Sequence, residues 1–180
     1  LGGSGQLQNT NDLNLGEGGK LKLSAVSVAK VITSADSSGI EIENDSTISN
    51  FVVGNITPVS IASGKSLSGS IAVNTGGKLQ FSNTGTLASA ISMNGGKLEA
   101  KESLTISGEL IQSGNISIAV DSQKILTFDS NQILTEANQL TIEGNGTVAF
   151  PTNASGIVLN NPAGLLRLEG SGTLDAAKVN

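Results

Sequence analysis

Asp36, Glu41, Glu43 and Asp45 form the densest acidic cluster of the chain. Hard carboxylate oxygens grouped this way could ligate Ca²⁺, and two carboxylates flanking a glycosidic bond could supply the acid and base of a glycosidase. The local pattern favours a plainer role. Glu41 and Glu43 alternate with Ile40 and Ile42, which is the wet face of a half-buried strand. The calcium-roll order Gly-Gly-x-Gly-x-Asp is not met: Gly2-Gly3-Ser4-Gly5-Gln6 lacks its Asp, and Gly16-Glu17-Gly18-Gly19 has the wrong order. Arg167, the sole arginine, takes the outward x position of Leu-x-Leu and reads as a surface charge. Lys20, Lys78 and Lys97 each follow a Gly-Gly pair at one kind of corner and read as cations that limit unwanted sheet pairing.

The residues that are missing exclude more chemistry than these clusters suggest. The chain has no His, Cys, Trp or Tyr. Without His it lacks the commonest general base and metal ligand. Without Cys it lacks thiolate catalysis, disulfides and thiolate-bound metals. Four Phe are its only aromatics, too few for a stacking platform that would hold sugars or bases. A net charge of −5 argues against nucleic acid. Five Asn-x-Ser/Thr acceptors are about what chance gives with 17 Asn and 38 Ser or Thr, so they are no glycosylation signal. Thr84-Gly85-Thr86 is the sole Thr-x-Thr, against the regular ladders of ice-binding solenoids. No catalytic, cofactor-binding or metal-ligating residue is expected, and no cofactor. The chain is expected not to be an enzyme.

The elements that carry these residues repeat. Leu79-Gln80-Phe81-Ser82-Asn83-Thr84-Gly85-Thr86-Leu87 returns as Leu140-Thr141-Ile142-Glu143-Gly144-Asn145-Gly146-Thr147-Val148 and as Leu166-Arg167-Leu168-Glu169-Gly170-Ser171-Gly172-Thr173-Leu174. Gly-Gly-Lys-Leu occurs at Gly18, Gly76 and Gly95, with leucines 58 and 19 residues apart, 58 being close to three times 19. These spacings predict coils of 19–21 residues with insertions, too short for a propeller blade and fit for a β-solenoid. Strict alternation at Lys20–Leu23, Ile40–Glu43, Ser70–Val73, Asn115–Val120 and Leu166–Glu169 predicts strands, about three per coil. Ala25–Val31 and Leu134–Gln139 are the only weak helical patterns, and the first reads better as β. Gly, Asn, Asp and Ser punctuate the strands as tight corners require. Asn44, Asn50, Asn74, Asn83 and Asn94 could stack along the axis as an Asn ladder. Charged residues are 14% against about 25% in average proteins, so Ser, Thr and Asn must supply the polar surface. No apolar run approaches the roughly 20 residues of a membrane span.

Ser37 to Asn50, with Gly39-Ile40-x-Ile42-x-Asn44 and Thr47-Ile48-x-Asn50, resembles one coil of a right-handed parallel β-helix of the pectate-lyase type. The wider chain, with Gly-Gly-Lys-Leu and Gly-Thr-Leu, resembles passenger domains of bacterial autotransporters and related surface proteins. That resemblance implies cell-surface exposure; the Tyr and Trp often scattered through such passengers are missing here.

The expected fold is therefore all-β: a single-stranded right-handed parallel β-helix of about nine coils over residues 1–180, one continuous β-solenoid, with an excerpt of a longer array left open. Leu1–Leu7 resembles Leu168–Leu174, so the stretch begins and ends in one motif. That motif leaves an excerpt and head-to-tail self-association into a filament both open. The expected function is a non-enzymatic extracellular structural protein at a bacterial cell surface or outside the cell. An adhesin binding host or neighbouring cells is the alternative, and a polysaccharide-acting enzyme the third.

Overall fold

A computed structural model of the chain describes residues 6–7, 12–34, 39–129, 132–134, 139–149, 157–159, 165–168 and 173–175. Every described element is a strand, and every strand pairing is parallel. The chain coils so that each turn lays down a strand in sheet 1 and then one longer or two shorter strands in sheet 2, except that the second short strands Gln132–Leu134 and Ile157–Leu159 pair as a separate two-stranded sheet. Sheet 1 stacks Lys20–Leu23, Gly39–Ile42, Ile56–Ile61, Lys78–Phe81, Lys97–Ala100, Ile116–Val120, Gln139–Gly144 and Leu165–Leu168. Sheet 2 stacks Ser27–Thr33, Ser46–Val53 and Ser66–Val73, whose continuation divides into Thr86–Leu87 with Ala90–Met93, then Leu104–Ile106 with Leu110–Gln112. Among the described residues a third strand segment is thus present in the coils from Lys78 to Gln139 and not in those of Lys20, Gly39 and Ile56. Of the Ala25–Val31 stretch, residues 27–31 lie in the strand Ser27–Thr33, while Ala25 sits at a bend before it. Residues 135–138 of the other weakly helical stretch lie outside the described residues.

The result is a β-solenoid in which sheet 1 stacks eight strands and the path through sheet 2 nine, one per coil. Coil length varies along it. Lys20 pairs with Gly39, a step of 19, but Ile56 pairs with Lys78, a step of 22. Further on, Ile116 pairs with Leu140 and Gln139 with Leu165, steps of 24 and 26. The added residues fall between strands, where insertions are tolerated.

Register also separates repeats that look identical. Leu21 stacks through Ile40 and Val59 onto Phe81, so its Gly-Gly-Lys-Leu lies two residues out of phase with the copies at Gly76 and Gly95. Those two copies are in register, Lys78 on Lys97 and Leu79 on Leu98. The nonapeptide behaves likewise: Leu79 shares a column with Ile118 and Ile142, whereas Leu140 pairs with Leu166. A slip of two keeps every inward residue inward, so the core does not register it.

The core is a set of such columns. Val31, Phe51, Ile71, Ile91 and Leu110 stack in sheet 2, as do Leu67, Leu87, Ile106 and Phe128, and all are buried. Opposite them run Val59, Phe81, Ala100 and Val120, where the small Ala100 follows the large Phe81. Two buried threonines satisfy each other in this interior: Thr33 Oγ1 and Thr57 Oγ1 lie 2.6 Å apart. Buried polar groups are stable inside only when so paired.

The repeated Gly-Thr marks the corner from sheet 1 to sheet 2. A Cβ on Gly85 would sit 2.4 Å from Ile61 Cγ2 of the preceding coil, and one on Gly146 would sit 2.3 Å from the Asp121 carbonyl. Close approach of coils therefore demands glycine there. Gly85→Ala should lower the urea midpoint by an amount equivalent to about 1–3 kcal/mol, the cost of overpacking a close-packed site. Gly16→Ala, where a Cβ meets nothing within 4 Å, should change stability by less than about 0.5 kcal/mol. Equal midpoints for the two variants would refute the corner argument.

Candidate functional site

The acidic cluster proposed from sequence is not assembled as a ligand set. Asp36 lies outside the described residues. Glu41 Oε1 pairs with Lys20 at 2.6 Å and Glu43 Oε1 with Lys22 at 2.8 Å, both on the outer face of sheet 1. Asp45 instead accepts the Ser66 N–H at 2.8 Å and the Ser66 hydroxyl at 3.0 Å. Each carboxylate thus holds a group of a neighbouring coil. The hydrogen bond from Lys20 and its charge keep the Glu41 carboxyl below its ordinary value. The backbone and hydroxyl hydrogen bonds from Ser66 do the same for Asp45. Among the described residues no three acidic side chains are grouped to hold a metal ion.

The lysines after Gly-Gly are partners rather than lone surface charges. Besides Lys20, Lys78 reaches Glu99 Oε2 at 3.5 Å and Lys97 reaches Glu143 Oε1 at 2.7 Å. Around Glu99 lies the most connected polar cluster of the described chain, and sequence reading did not single it out. Its carboxylate accepts from Gln80 Nε2 at 2.7 Å and pairs with Lys101 at 3.1 Å, while Lys101 also approaches Asp121 at 3.4 Å. The alternation Lys97-Leu98-Glu99-Ala100 was the one signal available, since it puts Lys97 and Glu99 on the same outer face. Nearly all of the Glu99 side chain is buried, 11% being exposed. Burial pushes its carboxyl up, but the hydrogen bonds from Lys101 and Gln80 and the charges of Lys78 and Lys101 outweigh this and hold it below 4.5. Lys101 is raised, first by its hydrogen bond to Glu99.

The outer face of sheet 2 carries a different feature. Ser66, Thr86, Thr105 and Thr127 stack in one column. Beside them Thr84, Ser103 and Ile125 line a groove of about 390 Å³. Ile125 is 47% exposed there, one of two large apolar side chains so exposed among the described residues. Thr84-Gly85-Thr86 thus does stand in a hydroxyl column, but Ile125 and Ala149 interrupt its regularity.

The asparagine corners resolve differently from an Asn ladder. Asn44 Nδ2 donates to Ser24 Oγ at 2.7 Å and Asn83 Nδ2 to Ser60 Oγ at 2.6 Å, each reaching to the preceding coil. Asn50 lies within the strand Ser46–Val53 and not at a corner. Arg167 pairs in register with Thr141. No described helix is long and apolar enough to cross a membrane, which says nothing of β-barrels.

These geometries define the class: a parallel β-solenoid whose charged residues bind one coil to another. No family model, no curated protein and no solved structure matches the chain.

Glu99 gives a pH test. Its folded pKa is lowered, so its contribution to stability is complete above its ordinary value of 4.5 and is lost as pH falls through the lower folded value. Glu99→Gln should cost about 1–2 kcal/mol at pH 7, the scale of charge-assisted hydrogen bonds. The difference from the parent chain should close below pH 4.5 in urea titrations. A difference independent of pH would show that the lost contacts are not ionic.

Proposed function

We propose that the chain is a non-enzymatic structural element, a stiff β-solenoid rod working outside the cell or at a bacterial surface, in the manner of autotransporter passenger-like proteins. The observation that carries this reading is the continuous axial stacking, with eight parallel strands in sheet 1 and a path of nine in sheet 2. Each rung pairs in parallel with the next, and the ion pairs described above run mainly between coils. Chemistry-bearing side chains are thereby committed to holding the stack. The absence of cysteine suits an oxidising compartment, where stray thiols are a hazard.

End-to-end association of copies is the partner that this architecture favours, because terminal coils of a solenoid offer strand edges that further coils can pair with. An adhesin role is the second reading, and the hydroxyl-lined groove over Thr86, Thr105 and Thr127 is the observation that favours it.

Small-angle scattering and negative-stain microscopy should show an elongated particle with a cross-section one coil wide. A compact sphere would end the rod reading. Size-exclusion chromatography over a concentration series should show growth by whole rod lengths, and a monomer at all concentrations would end the end-to-end proposal. Saturable binding of one glycan or protein class on an array, abolished by Thr105→Lys, would replace the structural reading with the adhesin one.

A further inference from the structure

The dipeptide Asn-Gly occurs twice, at Asn94-Gly95 and Asn145-Gly146. This pairing is chemically labile. The glycine backbone nitrogen, unhindered by a side chain, loses its proton and attacks the side-chain carbonyl carbon of the asparagine. A new C–N bond closes a five-membered succinimide, and the side-chain amide leaves as ammonia. Water then opens the ring at one of its two carbonyls and leaves either aspartate or isoaspartate in the chain.

The reaction needs the glycine nitrogen to be available, and the fold treats the two sites oppositely. Gly146 N–H donates to the Val120 carbonyl at 3.0 Å, and Asn145 N–H donates to the same oxygen at 3.1 Å. That nitrogen is held by the preceding coil in a corner where even a Cβ would meet Asp121 O at 2.3 Å. At the other site, Gly95 N–H has no acceptor among the described residues, and the Asn94 side chain is exposed with no hydrogen-bond partner among them. Only the Asn94 backbone is fixed: its N–H donates to Val73 O at 2.9 Å, and its carbonyl accepts from Thr75 Oγ1 at 2.9 Å. The neighbouring coil fixes the main chain and leaves both reacting groups free.

We propose that Asn94-Gly95 is a spontaneous deamidation site of the folded rod, and that the hydrogen bond to Val120 protects Asn145-Gly146. The product has a mechanical meaning. Isoaspartate adds a methylene to the main chain at a corner stacked between Thr75 and Gly114, where a Cβ on Gly114 would lie 2.8 Å from Gly95 N. That corner has no slack for the added atom, so conversion marks and loosens one turn of the solenoid as the molecule ages.

The test is a time course of the intact 180-residue chain in mildly alkaline buffer, with and without urea, read by peptide mass mapping and by chromatography that separates isoaspartyl peptides. In the folded chain Asn94 should convert about tenfold faster than Asn145, the factor set by first breaking one backbone hydrogen bond. In urea the two rates should converge. Equal rates in the folded chain, faster loss of Asn145, or an Asn94 that stays intact when folded yet converts in urea would each overturn the proposal.

Discussion

The structure depends on backbone hydrogen bonding between successive coils. A strand here has no antiparallel neighbour in its own turn, so its N–H and C=O groups are satisfied only by the turns before and after it. The bonding does not stop where strands end. Ala62 N–H donates to Ile42 O at 2.8 Å, Lys101 to Phe81 O at 2.8 Å and Asp121 to Ala100 O at 3.0 Å, carrying the ladder into the corners. This fixes the axial spacing near 4.8 Å, and that spacing dictates the rest. It sets like side chains above one another, forces glycine where corners would collide, and brings charges about twenty residues apart into contact.

A narrow rod has little interior, and its columns must be filled without gaps. The Phe81 and Ala100 succession does this by alternating volume along the axis, while Phe51 sits between Val31 and Ile71. The Thr33–Thr57 pair shows the other constraint, that a hydroxyl admitted to the core must be answered within it. Gln112 follows the same rule in part: its Nε2 donates to the carbonyls of Gly114 and Gln139 at 2.8 and 3.0 Å.

Strand positions and glycine corners were legible in the sequence because both leave local patterns. Alternation at Lys20–Leu23 and Asn115–Val120 is a period of two, and among the described residues Gly-Gly or Gly-Thr marks a corner. Register was not legible. A two-residue slip leaves the inside-outside pattern untouched, so Gly18-Gly19-Lys20-Leu21 reads as equivalent to its later copies although it stacks two residues away from them. The exact length of each coil was hidden for a related reason, since residues inserted at a corner carry no periodic signal. The ion-pair network was hidden more deeply. Glu99 meets Lys78 and Gln80 only once the coil length is known, and Asn44 and Asn83 choose serines one coil back rather than each other.

One pair reaches further than the ladder does. Lys97 stacks on Ser117, which stacks on Thr141, so the Lys97–Glu143 contact at 2.7 Å joins coils that are not adjacent. A solenoid with only nearest-neighbour coupling can fray one turn at a time from an end. Here the loss of the turn bearing Glu143 also withdraws a partner from Lys97 two turns down. The pair thus ties coils two apart, a link of longer range in an otherwise zipper-like molecule.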